Sequence, residues 1–206
     1  MEMKLLFLWV LGALALSGCD LFKEEELPPT PPPHPSLDIV IKGRTVSLNG
    51  RPVADRLSLD EWTAAFGLPS RTVEHRYDIN TTAIMRIWDD AGLVVYGPSG
   101  GQVSIAFEPS SNYFYCESMD RKKIDCAPSR AFSGRLVVDG AWVHAGAMLS
   151  QMERQGFPSL SRGGVLDRGF QYKNRATAGM DRFIYTLIPQ DGDSSIKPAV
   201  LTINER

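Results

Sequence analysis

The sequence predicts an α+β fold of two tandem units, each made of a β-hairpin, one short helix and a three-stranded antiparallel meander. Three observations predict it. A run from Gly43 to Val53 is echoed by a run from Gly134 to Val143. Each run precedes a short amphipathic segment that ends in Gly-x-Pro, a combination that stops a helix. Runs rich in β-branched and aromatic residues then alternate with turn sequences, as in a meander.

Composition is that of a chain with a hydrophobic core. The chain has 206 residues, of which 43% are hydrophobic and 22% charged, so it is neither a disordered tail nor a polytopic membrane protein. Its 22 basic and 24 acidic residues give a formal charge of -2. This balance lacks the basic footprint of a nucleic-acid-binding protein, so we expect no nucleic-acid partner.

Residues 1–19 are predicted to be a lipoprotein signal peptide. The apolar run from Leu5 to Leu16 follows Lys4 and is shorter than the roughly 20 residues of a transmembrane helix. The segment Leu16-Ser17-Gly18-Cys19 resembles a bacterial lipobox, which implies acylation of Cys19 and a membrane anchor without a spanning helix. The alternative is a plain secretory leader in which Cys19 is incidental.

Residues 20–36 are predicted to be a tether. They contain three consecutive glutamates and six prolines, which cannot bury apolar area and favour extended polyproline II. At about 3.1 Å per residue the tether reaches about 50 Å from the lipid surface. Asp20 resembles the inner-membrane retention signal of enterobacterial lipoproteins. We therefore expect a periplasmic protein anchored to the inner membrane, with the outer membrane as the alternative.

The folded part divides into a first α+β repeat, residues 37–115, and a second part, residues 116–206, that holds a disulfide loop and the second repeat. Asn49-Gly50 and Asp139-Gly140 lie between apolar runs and predict hairpin turns, because a type I′ turn needs positive φ at both central residues. Ser58 and Glu61 form the pattern of a capping box that starts the first helix. The second helix is predicted around Leu149 and Met152.

Two sets of strands follow the helices. In the first repeat they are predicted at Ala83 to Trp88, Leu93 to Tyr96 and Gln102 to Phe107. In the second repeat they are predicted at Arg182 to Ile188, Ala199 to Ile203 and Phe170 to Tyr172. Each set makes a three-stranded antiparallel meander.

Cys116 and Cys126 are predicted to form a disulfide. They remain as an even pair once Cys19 is modified, in a compartment that favours disulfides. Free thiols are the first alternative. A metal site is the second, although two thiols supply only half of a zinc set and neither has a CxxC partner or a nearby histidine.

The sequence offers no credible catalytic set, so we expect no enzyme, metal or cofactor. The run from Gly97 to Gly101 matches G-x-S-x-G around Ser99, but a strand pattern follows it, whereas a nucleophile elbow leads into a helix. His75 and His144 lie in different repeats, and we expect packing or surface roles for both. The acids at Asp89-Asp90 and Asp191-Gly192-Asp193 lack the remaining ligands of a calcium loop and are predicted to be turn residues.

Recognition is therefore the expected activity, and four residues are candidate contacts. Tyr113 and Tyr115 precede the predicted disulfide, and Arg121 and Lys122 lie inside the ring that it closes. Aromatic residues and arginine anchor protein interfaces, and a cross-linked loop loses less freedom on binding. The alternative is an edge strand with a solvated basic turn.

A family resemblance adds a more specific hypothesis. Trp62, the run from Phe66 to Arg71 and the run from Ile87 to Tyr96 resemble the duplicated periplasmic lipoproteins found beside antibacterial toxins of type VI secretion systems, especially the immunity proteins of lipase effectors. The resemblance covers the chain from about Ile39 and is clearer in the first repeat. The second repeat has no equivalent of Trp88-Asp89-Asp90.

The resemblance implies an immunity protein that binds and neutralises a toxin, a phospholipase in particular, in the periplasm. The expected partners are this cognate toxin and, through the lipid anchor, the membrane. A second hypothesis is a structural or accessory lipoprotein of envelope assembly. Its basis is an architectural analogy, because the order helix, Gly-x-Pro, antiparallel strands also occurs in such proteins.

Overall fold

The structure is a computed structural model that describes part of the chain. The described residues are 29, 32, 37–53, 58–76, 79–97, 101–166, 169–174, 183–190 and 196–205. No helix among them is long and apolar enough to cross a bilayer.

Most of the described structure is β-strand. In chain order the elements are β1 (Asp38–Lys42), β2 (Thr45–Leu48), β3 (Arg51–Val53), α1 (Leu59–Phe66), β4 (Arg71–Arg76), β5 (Thr82–Trp88), β6 (Leu93–Tyr96), β7 (Gln102–Ala106), a 3-10 helix (Asn112–Phe114), β8 (Tyr115–Glu117), β9 (Lys123–Asp125), β10 (Arg135–Val138), β11 (Ala141–Val143), α2 (Leu149–Arg154), β12 (Leu160–Leu166), β13 (Gly169–Asn174), β14 (Phe183–Pro189) and β15 (Pro198–Glu205).

The strands form one small sheet, one large sheet and a separate hairpin. The small sheet has the order β11-β10-β1-β2-β3, and the large sheet has the order β12-β13-β14-β15-β7-β6-β5-β4. β1 and β10 pair in parallel, and β15 and β7 pair antiparallel. Each of these two pairings joins a strand from the first half of the chain to one from the second half.

The predicted α+β fold of two tandem units is therefore wrong. The protein is mostly β-sheet, and both halves contribute strands to the small sheet and to the large sheet instead of forming a compact unit each. The run after each helix also holds four strands where three were predicted, because β4 and β12 were missed. β4 reads Arg-Thr-Val-Glu-His-Arg, and such a charged sequence is typical of a strand at the edge of a sheet.

Several local predictions are confirmed. Asn49 and Asp139 have φ of 51° and 49°, each is followed by a glycine with positive φ, and the two turns connect β2 to β3 and β10 to β11. Helix α1 begins with the predicted capping box, in which the Glu61 backbone N–H donates to Ser58 Oγ and Glu61 accepts from the Ser58 N–H. The hydrogen bonds from Ser58 lower the pKa of Glu61.

A buried ion pair links the two halves at the parallel pairing. Asp38 is opposite Arg135 in the β1–β10 register. Arg135 Nε lies 2.5 Å from Asp38 Oδ1, and a second guanidinium nitrogen lies 3.1 Å from Oδ2. The Asp38 side chain is 5% exposed and the Arg135 side chain 15%. The pairing is thus bidentate and largely desolvated.

The large sheet has an apolar cluster on each face, because successive residues of a strand point to opposite sides. In β6, Leu93 and Val95 belong to the main core, whereas Val94 belongs to a second cluster. The small sheet and both helices pack into the main core through Ile39, Ile41, Leu48, Trp62, Phe66, Leu136, Val138, Leu149 and Met152. The second cluster is covered by residues from the segment that connects the two halves, and this segment forms the candidate site.

Candidate partner-binding surface

A short disulfide hairpin lies over the face of the large sheet that carries the second cluster. It is defined here as residues 115–126, with Cys116 and Cys126 at its base. β8 and β9 pair in the register Tyr115–Asp125, Cys116–Ile124 and Glu117–Lys123. Cys116 and Cys126 are within bonding distance as a disulfide, and their Cα atoms are 6.0 Å apart. Because directly opposed residues share a face, the hairpin has an inner side at Cys116 and Ile124 and an outer side at the other two pairs.

The inner side packs on the sheet. Cys116 and Ile124 contact the second cluster, to which Phe114 and Cys126 belong with exposures of 5% and 1%. The sheet contributes side chains that are buried completely, namely Met85, Ile87, Val94 and Val200. The hairpin is therefore part of the folded protein, since removing it would expose this cluster to water.

Removal of the disulfide tests how much it stabilises the fold. We expect Cys116→Ser/Cys126→Ser to lower the free energy of unfolding by about 2.5 to 3 kcal/mol, because the ring closed by the bond restricts the unfolded chain. Urea unfolding with and without dithiothreitol measures this. The wild-type protein should shift toward the variant when reduced, and the variant should not respond. A variant as stable as the oxidised wild type would contradict the expectation.

An arginine from the edge of the large sheet holds the base of the hairpin. Arg71 donates from Nε to Asp89 Oδ2 at 2.7 Å, and its terminal nitrogens donate to the carbonyl oxygens of Asp125 at 2.8 Å and Ala127 at 2.9 Å. Asp89, in the turn after β5, also accepts from the backbone N–H and hydroxyl of Ser129 at 3.2 and 3.1 Å. We call Arg71, Asp89 and Ser129 the clamp, since they tie the C-terminal end of the hairpin and the residues after it to the sheet.

The clamp predicts a response to acid. Burial alone raises the pKa of Asp89, but hydrogen bonds and charge from Arg71 and hydrogen bonds from Ser129 outweigh it and hold the pKa below the usual 3.8. As pH falls, the Asp89 carboxylate is therefore protonated in the unfolded chain at a higher pH than in the folded protein. The stability that Asp89 contributes is complete above its unfolded pKa and is lost as pH falls through the lower folded value.

Unfolding of Asp89→Asn and Asp90→Asn across this acid range checks the prediction. We expect Asp89→Asn to be less stable near neutral pH and to lose less stability below about pH 4 than the wild type. Asp90→Asn is the control, because Asp90 makes only an exposed ion pair with Arg130 at 3.4 Å. Parallel acid profiles for Asp89→Asn and the wild type would contradict the role of the clamp.

The structure divides the four predicted contact residues into two groups. Tyr113 is half-buried, and its hydroxyl lies 3.0 Å from Thr202 Oγ1, 3.5 Å from Ser104 Oγ and 3.4 Å from Gln102 Nε2. It therefore fills a polar site on the sheet. The residues around Tyr113 resemble those around Tyr115 in the sequence. The two tyrosines differ in position, because Tyr113 lies in the 3-10 helix before the hairpin and Tyr115 lies in β8.

The other three predicted contacts are exposed. Tyr115 is 44% exposed on the outer side of the hairpin, where its hydroxyl donates to Glu117 Oε1 at 2.9 Å and Lys123 Nζ lies 6.0 Å from its ring centroid. Arg121 and Lys122 are exposed in the turn between β8 and β9. Met119, which the sequence reasoning did not single out, is 43% exposed in the same turn.

A groove of about 490 Å³ borders the hairpin. Its lining combines the segment before the 3-10 helix with β9 and the base of the hairpin, through Pro109, Ser110, Ser111, Phe114, Tyr115, Lys123, Ile124, Asp125, Cys126 and Ala127. The groove places Tyr115 and Lys123 beside a concave surface. A side chain of a partner protein could insert there next to the exposed tyrosine ring.

Comparison with known proteins finds a family whose model covers the part of the chain that contains this surface. The model of a family described as a domain of unknown function, DUF7738, matches residues 38–148. The chain belongs to the DUF7738 family. No curated protein and no solved structure matches the chain.

The region matched by the DUF7738 family contains both hairpin turns, helix α1, the clamp and the disulfide hairpin. It ends one residue before α2. The match thus includes the strands through which the small sheet joins the two halves of the chain, but not β12 to β15.

The two histidines of the matched region take part in packing. His75 Nδ1 lies 3.1 Å from the Arg76 carbonyl oxygen, and its ring meets Tyr96 edge-on. His144 stacks on Trp142 with ring centroids 4.0 Å apart, and the Gly146 N–H donates to its Nδ1 at 3.2 Å. Burial lowers the pKa of His144. The structure does not bring the two histidines together in one site.

The remaining predicted residues have different outcomes. No group of three or more His, Cys, Asp or Glu side chains that could hold a metal ion occurs among the described residues. Cys19, Ser99 and the acids at 191 and 193 lie outside the described residues, as does the tether apart from Pro29 and Pro32, which are exposed.

Proposed function

We propose that this member of the DUF7738 family is an immunity protein, exported and anchored by a lipid on Cys19, that binds and neutralises a type VI secretion effector attacking phospholipids in the periplasm. The observation that supports it best is the disulfide hairpin. A cross-link, an apolar inner side and the clamp hold it on the sheet, while Tyr115, Arg121 and Lys122 remain exposed. A surface ordered in advance loses less entropy when it binds.

The predicted anchor and tether suit this function. A phospholipase acts at the membrane surface, so an inhibitor held there meets it at a raised effective concentration. The tether of residues 20–36 lets the folded part reach about 50 Å from the lipid. We propose inhibition by steric occlusion, in which the hairpin covers either the mouth of the active site or the face with which the toxin docks on lipid.

A competition assay tests the function. A strain lacking this protein should be killed by kin that deliver the effector, and expression of the full chain should restore survival. Tyr115→Ala/Arg121→Ala/Lys122→Ala should restore it poorly, because the exposed side chains of the hairpin are lost. The matched control Lys42→Ala/Arg51→Ala/Ile79→Ala removes one apolar and two basic exposed residues elsewhere and should restore survival fully.

Two outcomes would overturn the proposal. Unchanged survival of the deletion strain against effector-delivering kin would show that the protein confers no immunity. A permeability defect of the envelope in the deletion strain without any competitor would favour an accessory role in envelope assembly instead.

A further inference from the structure

The turn of the disulfide hairpin has an unusual residue at a strained position. The turn is closed by the Ser118 N–H donating to the Lys122 carbonyl at 2.9 Å and by the Arg121 N–H donating to the Ser118 carbonyl at 2.9 Å. Arg121 has a φ of 59°. This left-handed conformation suits glycine, whereas a residue with a Cβ adopts it at a cost of about 1 kcal/mol or more.

Two other non-glycine residues with positive φ have side chains that hydrogen-bond backbone groups elsewhere in the fold. Asn49 and Asp139 occupy hairpin turns, and their short side chains hydrogen-bond nearby backbone: Asn49 Oδ1 accepts from the Asp38 N–H, and Asp139 Oδ1 accepts from the Gly43 N–H. Arg121 instead has a long, exposed cationic side chain. The turn uses only its backbone N–H, which glycine would also supply.

Three basic side chains lie in and next to the turn of the hairpin. Arg121, Lys122 and Lys123 are consecutive and exposed, on a chain whose net charge is -2. Of the nearby acids, Asp125 has its carboxylate 3.6 Å from Arg71, and Glu117, which accepts from the Tyr115 hydroxyl, lies opposite Lys123 and offsets one of the three basic charges. Asp120 is the remaining acid in the turn. The tip is therefore locally basic.

Apolar side chains lie beside these charges. Large exposed hydrophobic residues are few in the described part of the chain, and two of the four, Tyr115 and Met119, belong to the hairpin. A cationic group next to an exposed aromatic or methionine is a combination found at the centres of protein interfaces. Opposite charges on the two partners also steer association and select the partner.

We propose that the hairpin tip is the specificity element for the effector: Arg121, with Lys122, binds carboxylates on the effector surface, and Tyr115 and Met119 pack against apolar residues beside them. This inference rests on the proposed function, because it assumes that the effector is the partner. It adds the chemistry of the partner surface, which must be acidic around an apolar patch. It also explains why the turn holds arginine where glycine would fit the backbone better.

Binding to a purified type VI phospholipase effector, the partner that the proposed function names, tests the proposal, with the full chain in detergent and affinity measured at several salt concentrations. Arg121→Gly should weaken binding by about tenfold or more and reduce its salt dependence. The thermal midpoint of Arg121→Gly should equal or exceed that of the wild type, because strain in the turn is relieved. A purely structural role for Arg121 would not lower affinity while stability rises.

Further variants separate charge from conformation. Arg121→Lys should keep much of the affinity, and Lys122→Glu should weaken binding while leaving the strained position unchanged. Lys42→Glu is the matched control, since it makes the same charge change at an exposed site on the small sheet and should bind as the wild type does.

The failures are distinguishable. If the wild-type chain does not bind the effector, the proposed function fails, and this inference fails with it. If the wild type binds and Arg121→Gly and Lys122→Glu bind equally well, only the inference is overturned. Vesicles of anionic phospholipid serve as a second probe, and Arg121-dependent binding to them instead of to the effector would overturn it in favour of a membrane contact.

Discussion

Arg135→Leu is expected to lower the free energy of unfolding by about 3 to 5 kcal/mol, because it leaves the carboxylate of Asp38 buried without its partner. The Asp38 side chain is 5% exposed, and Arg135 reaches both of its oxygens. The pair lies at the start of the parallel pairing of β1 with β10, which joins the two halves of the chain. Chemical denaturation measures the loss.

Two controls identify the cause. Arg130→Leu removes an equivalent charge from a pair with Asp90 in which both side chains are more than 70% exposed, and we expect a loss below about 1 kcal/mol. Asp38→Leu/Arg135→Leu replaces the buried pair by apolar side chains and should recover most of the stability lost in Arg135→Leu. Equal losses in Arg130→Leu and Arg135→Leu would contradict the argument.

Gly92→Ala is expected to lower the free energy of unfolding by about 4 kcal/mol, from roughly 1 kcal/mol of backbone strain and about 3 kcal/mol of overlap. Gly92 has a φ of 68°, and a Cβ there would collide with the backbone of Ala131 and Phe132. Those residues cannot simply move away, because the Phe132 N–H donates to the Ala106 carbonyl at 2.6 Å.

Gly97→Ala separates strain from overlap. Gly97 has a similar φ of 75°, but a Cβ there would meet nothing within 4 Å. We expect a loss of about 1 kcal/mol, so the difference between the two variants reports the close approach of residues 131 and 132 to the turn. Similar losses in both would show that the segment beside Gly92 adjusts without cost.

Gly92→Ala also tests a contact near the candidate surface. Gly92 follows Asp89 in the turn after β5, and Asp89 belongs to the clamp. A chain weakened there should also hold its disulfide hairpin less firmly. Destabilised variants are therefore poor probes of partner binding, and variants of Arg121 and Lys122, which are exposed in the turn, are better ones.

Part of the candidate site could be predicted from the sequence. The cysteine pair and the exposure of Arg121 and Lys122 follow from local features, namely even cysteine pairing and a basic turn between polar residues. The clamp could not be predicted, although Arg71 and Asp89 both lie in the runs that carry the family resemblance. They are 18 residues apart, and only the pairing of β4 with β5 brings them together.

The position of Tyr113 also could not be predicted from the sequence. Its sequence neighbours are those of a surface aromatic cluster, yet its hydroxyl lies against Ser104 and Thr202, the latter 89 residues away. That site exists because β7 and β15 are adjacent. The residues next to Tyr113 in the sequence therefore do not predict a polar site that is formed by distant strands.

The sequence by itself determined local elements of this protein, namely the turns at Asn49-Gly50 and Asp139-Gly140 and the capping box of α1. These depend on the φ preferences and hydrogen bonds of a few neighbouring residues, so short patterns are sufficient to predict them. Only the tertiary structure decided that the two halves share their sheets through β1–β10 and β7–β15. Apolar alternation marks which face of a strand is buried but does not identify its partner, since that choice depends on the packing of the whole core.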